Sequence, residues 1–312
     1  MFLTYTQTMT RPRSITVVFM VAGLCLVLGD RISSQGSRGT RERSLYVSVV
    51  DSNGVPVPDL GPSDFLVKED NVTREVLRVT PATDPMQVAL LVDTSQAARD
   101  AIQHIRLALP PFVAEMTKAN AVGRKNEVAV FGVGERPTVL AEYSTDPQQL
   151  QKGIDRVWSL NQSGMYLLDA LIEVSQGLKK REAGRPVMIA IVTSGPEFSN
   201  RHHDQVITPL KSIGAALYVM ALGQPDTSLK DESRERALVF DQGTRDTGGS
   251  HEQVLSPIGL PNRMATLAAQ LTHQYKVTYG RPESLIPPEK ITVSATKNGL
   301  VARGTPVKEG QP

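Results

Sequence analysis

The most informative stretch of this chain is Val88-Ala89-Leu90-Leu91-Val92-Asp93-Thr94-Ser95-Gln96-Ala97. Consecutive apolar residues followed by polar ones are typical of a short central strand that a parallel sheet buries on both faces. In sheets of this kind, ligands bind beyond the carboxyl ends of the strands. The stretch therefore predicts an α/β fold, and it places Asp93 and Ser95 where a binding site would lie.

Apolar and amphipathic segments alternate on both sides of this strand. Strands are predicted at 87–92, 127–133, 138–142, 187–193 and 215–221, and helices at 98–117, 147–158, 166–181 and 202–213. This alternation is typical of right-handed crossovers in a doubly wound, mostly parallel sheet. Further along, we expect a loop or frayed helix at 224–236, a helix at 261–271 and a last strand of the same sheet at 275–279.

The segments that flank the α/β region are predicted to be β structure. Residues 44–51 largely alternate apolar and polar side chains, and a turn signal and further strand-like runs follow. This pattern indicates a small β unit at 44–82 that precedes an α/β domain at 83–281. Residues 282–312 are predicted to be a β tail, in which 290–295 and 300–303 could pair as a hairpin across Asn298-Gly299.

The amino-terminal segment has the pattern of a targeting sequence. Arg11 and Arg13 precede an apolar run at 15–28, which is shorter than the ~20 residues of a comfortable bilayer span. Residues 1–36 are therefore predicted to be a secretory signal peptide, with an uncleaved membrane anchor as the alternative, and residues 37–43 a linker. We expect an exported protein that is periplasmic, secreted or associated with the cell envelope.

Composition excludes some classes of partner and site. The net charge of the 312 residues is +2, with acids and bases nearly balanced, so no nucleic-acid-binding surface is expected. Cys25 is the single cysteine and lies in the apolar run. If that segment is removed, the chain has no disulfide, thiol nucleophile or thiolate metal ligand.

Several phrases, in order along the chain, resemble bacterial von Willebrand factor A-related proteins of the kind seen in Acidobacteria-like genomes. Residues 47–70 loosely match the phrase VxVxDxxGxPVxxLxxxDFxVxED, and Asp93 with Ser95 match a strand that ends in Asp-x-Ser. Residues 168–171 match a Tyr-Asp-Ala-Leu-like helix start, and 274–279 match Gln-Tyr-x-x-x-Tyr. The resemblance implies a von Willebrand factor A-like domain.

The same resemblance implies a metal-ion-dependent adhesion site, in which three loops supply oxygen ligands to Mg²⁺ or Mn²⁺. Asp93 and Ser95 match the first loop. The other three expected ligands, a Ser, a Thr and an Asp, are replaced by Ala97, Met165 and Ser194. A thioether is a poor ligand for a hard cation, and charge count governs affinity. We therefore expect a vestigial site and no bound cofactor, with Glu197 as the candidate substitute ligand.

Two further interpretations of these residues follow from the sequence. Asp93 can accept backbone N–H groups and hold its loop, and Ser95 can cap the next helix. Met165, Tyr166, Ser194 and Phe198 can form a contact surface, since Met and aromatic residues are enriched in interface cores. The sequence thus predicts a non-enzymatic module that binds a protein through the loops, with metal-dependent adhesion through Asp93 as one alternative. A scaffold with no ligand at the loops is another.

Hydrolysis by Ser194 is the alternative from a different class. Ser194 follows a buried strand, and His202-His203-Asp204 could supply a base. The Gly-x-Ser-x-Gly elbow of α/β-hydrolases is absent, because Val192 and Pro196 flank the serine. A Walker-type phosphate-binding phrase is also absent from the sequence. We expect no enzymatic activity.

Overall fold

A computed structural model describes Phe2, residues 40–283 and residues 286–308. Apart from Phe2, the predicted signal peptide or anchor at 1–36 lies outside the described residues. Residues 41–281 belong to one compact unit with residues 286–308. Among the helices of the described part of the chain, none combines the length and apolarity required to cross a bilayer.

The strands and helices have the following bounds. The strands are β1 (Thr40–Val50), β2 (Phe65–Glu69), β3 (Val72–Arg74), β4 (Val76–Pro81), β5 (Gln87–Asp93), β6 (Glu127–Val133), β7 (Pro137–Ser144), β8 (Pro186–Thr193), β9 (Ala216–Leu222), β10 (Ser250–Val254), β11 (Tyr275–Pro282), β12 (Ile291–Ala295) and β13 (Val301–Pro306). The helices are α1 (Ile102–Met116), α2 (Pro147–Ile154), α3 (Leu167–Lys180), α4 (His203–Ile213), α5 (Asp231–Leu238), α6 (Thr244–Thr247) and α7 (Leu260–Thr272).

A mixed sheet of six strands, in the order β10-β9-β8-β5-β6-β7, forms the centre of the fold. Neighbouring strands are parallel except β7, which runs antiparallel to β6. Side chains of β5 alternate between two cores: Leu90 packs in the core with residues of α1 and α7, and Leu91 packs in the core with residues of α3 and α4. The predicted doubly wound, mostly parallel sheet is confirmed, because its central strands are apolar on both faces.

The end of the central sheet differs from the prediction. Residues 275–279, expected to be its last strand, belong instead to β11, which pairs with β4 outside this sheet. The edge strand is β10, parallel to β9, in a segment for which the sequence predicts no strand. Most of β10 is only half-buried and polar, so it lacks the apolar run that marked the other strands.

The segment after β9 is also more regular than expected. The loop or frayed helix predicted at 224–236 overlaps α5, which begins at Asp231 and continues as a π-helical turn (Val239–Gly243) into α6. The sequence of α5 is highly charged, and only three of its residues, Ser233, Glu235 and Arg236, are buried. A helix with so few apolar residues gives almost no periodic signal.

The flanking β segments form two small antiparallel sheets. One has the strand order β13-β1-β11-β4 and the other has the order β12-β2-β3. The predicted hairpin of 290–295 with 300–303 is wrong, because β12 pairs with β2 whereas β13 pairs with β1. Strands from both sides of the α/β region therefore pair with one another, and their apolar faces share one core that includes Val47, Phe65 and Tyr279.

A buried arginine joins these flanking sheets to the central one. Arg185 precedes β8, is 4% exposed and donates to the backbone oxygen of Asp84 at 2.8 Å and to the side chain of Gln274. Its guanidinium lies 4.4 Å from the centre of the Tyr46 ring. A buried charge is tolerated only when it is hydrogen-bonded or paired, so this network fixes where the two regions meet.

Candidate functional site

Three segments meet beyond the carboxyl ends of the central strands. They are residues 94–101 after β5, residues 157–166 before α3 and residues 194–202 after β8, and together we call them the loop face. Parallel strands bring their carboxyl ends to the same edge of a sheet, so segments distant in sequence become neighbours here. The sequence-predicted site residues all lie in the loop face or at the strand end next to it.

Asp93 is fully buried at the end of β5, and its carboxylate is occupied by donors from the chain itself. Oδ1 accepts the N–H of Ser95 at 2.8 Å. Oδ2 accepts both the N–H of Thr193 at 3.0 Å and its hydroxyl at 2.5 Å. Asp93 therefore ties the end of β5 to the end of β8, which is the loop-holding role that the sequence offered as an alternative to metal binding.

Ser95 lies beside this carboxylate but does not cap a helix. It occupies the amino-terminal cap position of a short 3-10 helix (Gln96–Ala98), yet its side chain makes no capping hydrogen bond. The side chain is buried, and its Oγ has no hydrogen-bond partner. The predicted capping role of Ser95 is therefore wrong, and its hydroxyl is left without a hydrogen bond beside the Asp93 carboxylate.

Backbone hydrogen bonds connect the three segments directly. Leu160 donates its N–H to Thr94 O at 2.8 Å, and Phe198 donates its N–H to Met165 O at 3.0 Å. The first and third segments touch at Ala97, whose Cβ is 2.5 Å from the position that a Cβ would take at Gly195. Only a glycine permits this approach. The segments are thus held together by the chain's own atoms.

The predicted contact residues divide into buried and exposed ones. Met165 is 1% exposed and packs in the core with α3, so its side chain does not form part of a contact surface. Phe198 is 49% exposed, and its ring stacks on the half-buried Tyr166 with 5.8 Å between ring centres. Ser194 is exposed, and its Oγ lies 3.2 Å from the position of a Cβ at Gly223. Of the predicted set, Tyr166 and Phe198 form a continuous aromatic surface.

Glu197 contacts the start of α3 and makes no hydrogen bond to Asp93. Its Oε1 accepts the N–H of Leu167 at 3.1 Å and the N–H of Ser199 at 3.0 Å. Its Oε2 is buried without a hydrogen-bond partner. Burial raises the pKa of the Glu197 carboxyl above its usual range, although hydrogen bonds from Ser199 oppose that shift. The geometry gives Glu197 a helix-capping role.

Sequence reasoning missed a buried cation beneath the third segment. Arg236 of α5 is 3% exposed and donates to Gly195 O at 2.6 Å and to Asp226 Oδ2 at 2.7 Å. Charge-assisted hydrogen bonds of this kind are stronger than neutral ones. The charged pattern of α5 gave no sign that this one arginine points inward, because neighbouring charges such as Arg234 remain exposed.

A pocket of about 630 Å³ opens on the loop face. The residues that line it include Ser95, Ala97, Arg99, Ser163 and Phe198. Leu160, another missed residue, is 53% exposed on the second segment. The surface around the pocket therefore combines an exposed aromatic ring, an exposed aliphatic side chain and polar loop groups.

These residues do not fit a divalent cation held by three loops. Such an ion requires several oxygen ligands with sufficient negative charge. The Asp93 carboxylate is taken by three donors, Met165 is in the apolar core, and Glu197 is turned to α3. The unpartnered hydroxyl of Ser95 is a single neutral ligand.

Residues 88–197 match the family model of the von Willebrand factor type A domain. This chain contains a von Willebrand factor type A domain. The matched region begins in β5 and ends in the third segment of the loop face, so it includes most of the candidate site. Von Willebrand factor type A domains are generally interaction modules rather than enzymes. A comparison with curated proteins gives no significant match.

Solved structures that are similar to this chain include two of von Willebrand factor domains. A von Willebrand factor type A protein from Catenulispora acidiphila is 13% identical over 86% of this chain and 73% of that chain, with a TM-score of 0.49. The vWF domain of the type V pili tip protein Mfa5 from Porphyromonas gingivalis is 11% identical over 60% of this chain and 95% of that one, with a TM-score of 0.46.

Human COPII-coat protein Sec24c is 8% identical over 72% of this chain, with a TM-score of 0.46. The match spans 43% of the Sec24c chain, which is less than half of its length.

Proposed function

We propose that this chain is an exported, non-enzymatic protein-interaction module whose loop face binds a protein partner without a divalent cation. The observation that carries the proposal is the Asp93 carboxylate, whose two oxygens accept three hydrogen bonds from the chain itself. The Asp93 carboxylate therefore holds the loops in place, and the exposed side chains of the loop face bind the partner.

The contacts among the loops support a cation-free site. Backbone hydrogen bonds join the first segment to the second and the second to the third. The buried Arg236 also donates a hydrogen bond to the backbone oxygen of Gly195 in the third segment. A preformed surface loses little conformational entropy on binding, so it does not depend on an ion to order it.

The exposed side chains of the loop face support a protein as the partner. Phe198, stacked on Tyr166, and Leu160 lie on the surface, and the pocket lies beside Phe198. Aromatic residues at the centre of an interface contribute most of its binding energy, whereas a ring of polar groups excludes water. Ser194, in the same segment, lies at the edge of this surface and is exposed.

The requirement for a cation is tested by calorimetric titration of the chain with Mg²⁺, Mn²⁺ and Ca²⁺. We expect no saturable binding at the loop face. Residual metal-dependent adhesion instead predicts saturable binding that Ser95→Ala weakens while Asp100→Ala, a change at an exposed residue on the same pocket, does not. That result would overturn the cation-free proposal.

The binding surface is tested with Phe198→Ser and a matched control, Leu107→Ser, which changes another exposed apolar residue, on α1. Envelope proteins retained by the immobilised chain are compared in EDTA and in Mg²⁺. We expect one partner to be retained equally in both buffers, lost with Phe198→Ser and kept with the control. Retention that is unaffected by Phe198→Ser favours the scaffold alternative, in which the loop face binds nothing.

Export and the absence of catalysis have separate tests. Amino-terminal sequencing of the protein recovered from cell fractions is expected to show removal of a segment close to residues 1–36. For catalysis, His202 and His203 make no hydrogen bond to Ser194 and contact Glu235 and Asp204 instead. Ester turnover that Ser194→Ala abolishes would establish the hydrolase alternative and refute this part of the proposal.

A further inference from the structure

Two adjacent histidines and a glutamate converge at the start of α4, outside the pocket of the loop face. His202 is the amino-terminal cap residue of α4, His203 is its first residue, and Glu235 is on α5. We call these three residues the histidine cluster. One ligand atom from each lies within 4.8 Å of the others. His202 is the last residue of the loop face, but none of the three residues lines that pocket, so the inference about the cluster does not rest on the interaction surface proposed above.

One ring nitrogen of each histidine lies close to the same carboxylate oxygen of Glu235. Glu235 Oε2 lies 2.7 Å from His203 Nδ1 and 3.9 Å from His202 Nε2. Metal–ligand distances of about 2.0–2.2 Å place two ligands of a tetrahedral ion about 3.3–3.6 Å apart. An ion would take the place of the proton in the His203–Glu235 hydrogen bond. Side-chain rotations that lengthen this contact and shorten the one to exposed His202 would bring both imidazoles and the carboxylate to one ion.

Each imidazole also has its second nitrogen near another carboxylate. Asp204 Oδ2 lies 3.5 Å from His202 Nδ1, and Asp204 Oδ1 lies 3.6 Å from His203 Nε2. Histidines that bind metals almost always donate their other N–H to a carboxylate, a carbonyl or water, which fixes the tautomer and the ring orientation. Asp204 therefore lies near the outer nitrogen of each ring, while the inner nitrogens face Glu235.

The Glu235 carboxylate is buried and positioned in advance. Its side chain is 9% exposed, and its Oε2 accepts the backbone N–H of His203 at 2.7 Å. Its other oxygen, Oε1, lies 3.5 Å from Arg234 Nη2. Because Oε2 has a second lone pair, it can accept the backbone N–H of His203 and coordinate an ion at the same time.

We propose that His202, His203 and Glu235 form a binding site for a zinc-class transition-metal ion. Imidazole and carboxylate ligands suit zinc, nickel and copper ions, whereas Mg²⁺ and Ca²⁺ prefer an all-oxygen shell. Three protein ligands leave one position of a tetrahedral ion open to water or to a side chain of a partner. His202 is 57% exposed, so this open position faces solvent.

The test is a calorimetric titration of the full chain with Zn²⁺, purified without a histidine tag and freed of metal by dialysis against a chelator. The chain has five histidines, which permits a matched control. His251→Ala removes a histidine that also faces a carboxylate, with 3.4 Å between its Nδ1 and Asp241 Oδ1, but that pair has no second imidazole.

We expect one Zn²⁺ per chain, no saturable Mg²⁺ binding at this site, and a loss of affinity of about tenfold or more in His202→Ala and in His203→Ala. His251→Ala is expected to bind Zn²⁺ as the unchanged chain does. His202 is mostly exposed, so its alanine variant keeps the test valid if the change at His203 impairs folding. Equal Zn²⁺ affinity in the unchanged chain and both cluster variants, or no binding at all, would overturn the proposal.

Discussion

Replacement of Asp93 by alanine distinguishes a structural carboxylate from a metal ligand. The variant removes the acceptor of three buried donors: the N–H of Ser95, the N–H of Thr193 and the hydroxyl of Thr193. We expect a large loss of folding stability whether or not a divalent cation is present, because all three partners belong to the chain.

The magnitude follows from the number of donors left without an acceptor. A buried donor that loses its partner costs about 1–3 kcal/mol. The Thr193 hydroxyl can rotate toward another acceptor, whereas the two backbone N–H groups are fixed by the ends of β5 and β8. With at least two donors orphaned and a small cavity added, Asp93→Ala is expected to lower the free energy of unfolding by roughly 3 kcal/mol.

The assay is urea unfolding of the unchanged chain and the variant, each in EDTA and in Mg²⁺. Asp100→Ala is the control, since Asp100 is an exposed carboxylate on the neighbouring pocket, and its effect is expected within about 0.5 kcal/mol. If Asp93→Ala were as stable as the unchanged chain in EDTA and less stable only in Mg²⁺, the carboxylate would be a cation ligand, and its loop-holding role would be refuted.

Three further changes test the surroundings of the site. Burial raises the pKa of Glu197, so the stability that its protonated form contributes is full below its unfolded pKa and is lost as the pH rises through the folded value. In unfolding experiments at pH 5 and pH 8, Glu197→Gln is expected to gain stability relative to the unchanged chain at the higher pH. The control Glu173→Gln, at an exposed residue, is expected to show no such gain. Burial works against the charge of Asp226, but hydrogen bonds and the charge of Arg236 lower its pKa overall. The unchanged chain is therefore expected to lose stability as the pH falls below about 4. Acid unfolding is expected to show that Asp226→Asn loses less stability over that range. Gly177→Ala, on exposed α3 surface with open space around its Cβ, is expected to raise the free energy of unfolding by about 0.5–1 kcal/mol in urea, and no gain would contradict the helix-propensity argument.

The positions of most central strands and helices could be predicted because each one buries its own apolar pattern. β8 is buried along its whole length, and the predicted strand at 187–193 differs from it by one residue. The strand predictions were wrong where the apolar pattern is weak, or where that pattern does not specify which strand is the neighbour in the sheet. β10 is polar at the sheet edge, and β11 has a clear strand pattern that gives no indication of which sheet it joins.

The candidate site was predictable in its location and not in its internal contacts. The end of β5 identified Asp93 and Ser95, since strand ends of parallel sheets carry the sites. Whether Met165 faces solvent or the core depends on the packing of α3, and the structure buries it. Arg236 could not be anticipated, because a charged residue in a charged helix is ordinarily exposed.

The sequence by itself determined the α/β layers and the position of the candidate site residues Asp93 and Ser95 at the carboxyl end of β5. These properties depend on local periodicity and residue identity. Only the tertiary structure decided that the flanking strands pair with one another, that Thr193 occupies the Asp93 carboxylate, and that Glu235 reaches His203 across 32 positions of the chain. Such contacts depend on how distant segments pack, and local sequence patterns do not encode that packing.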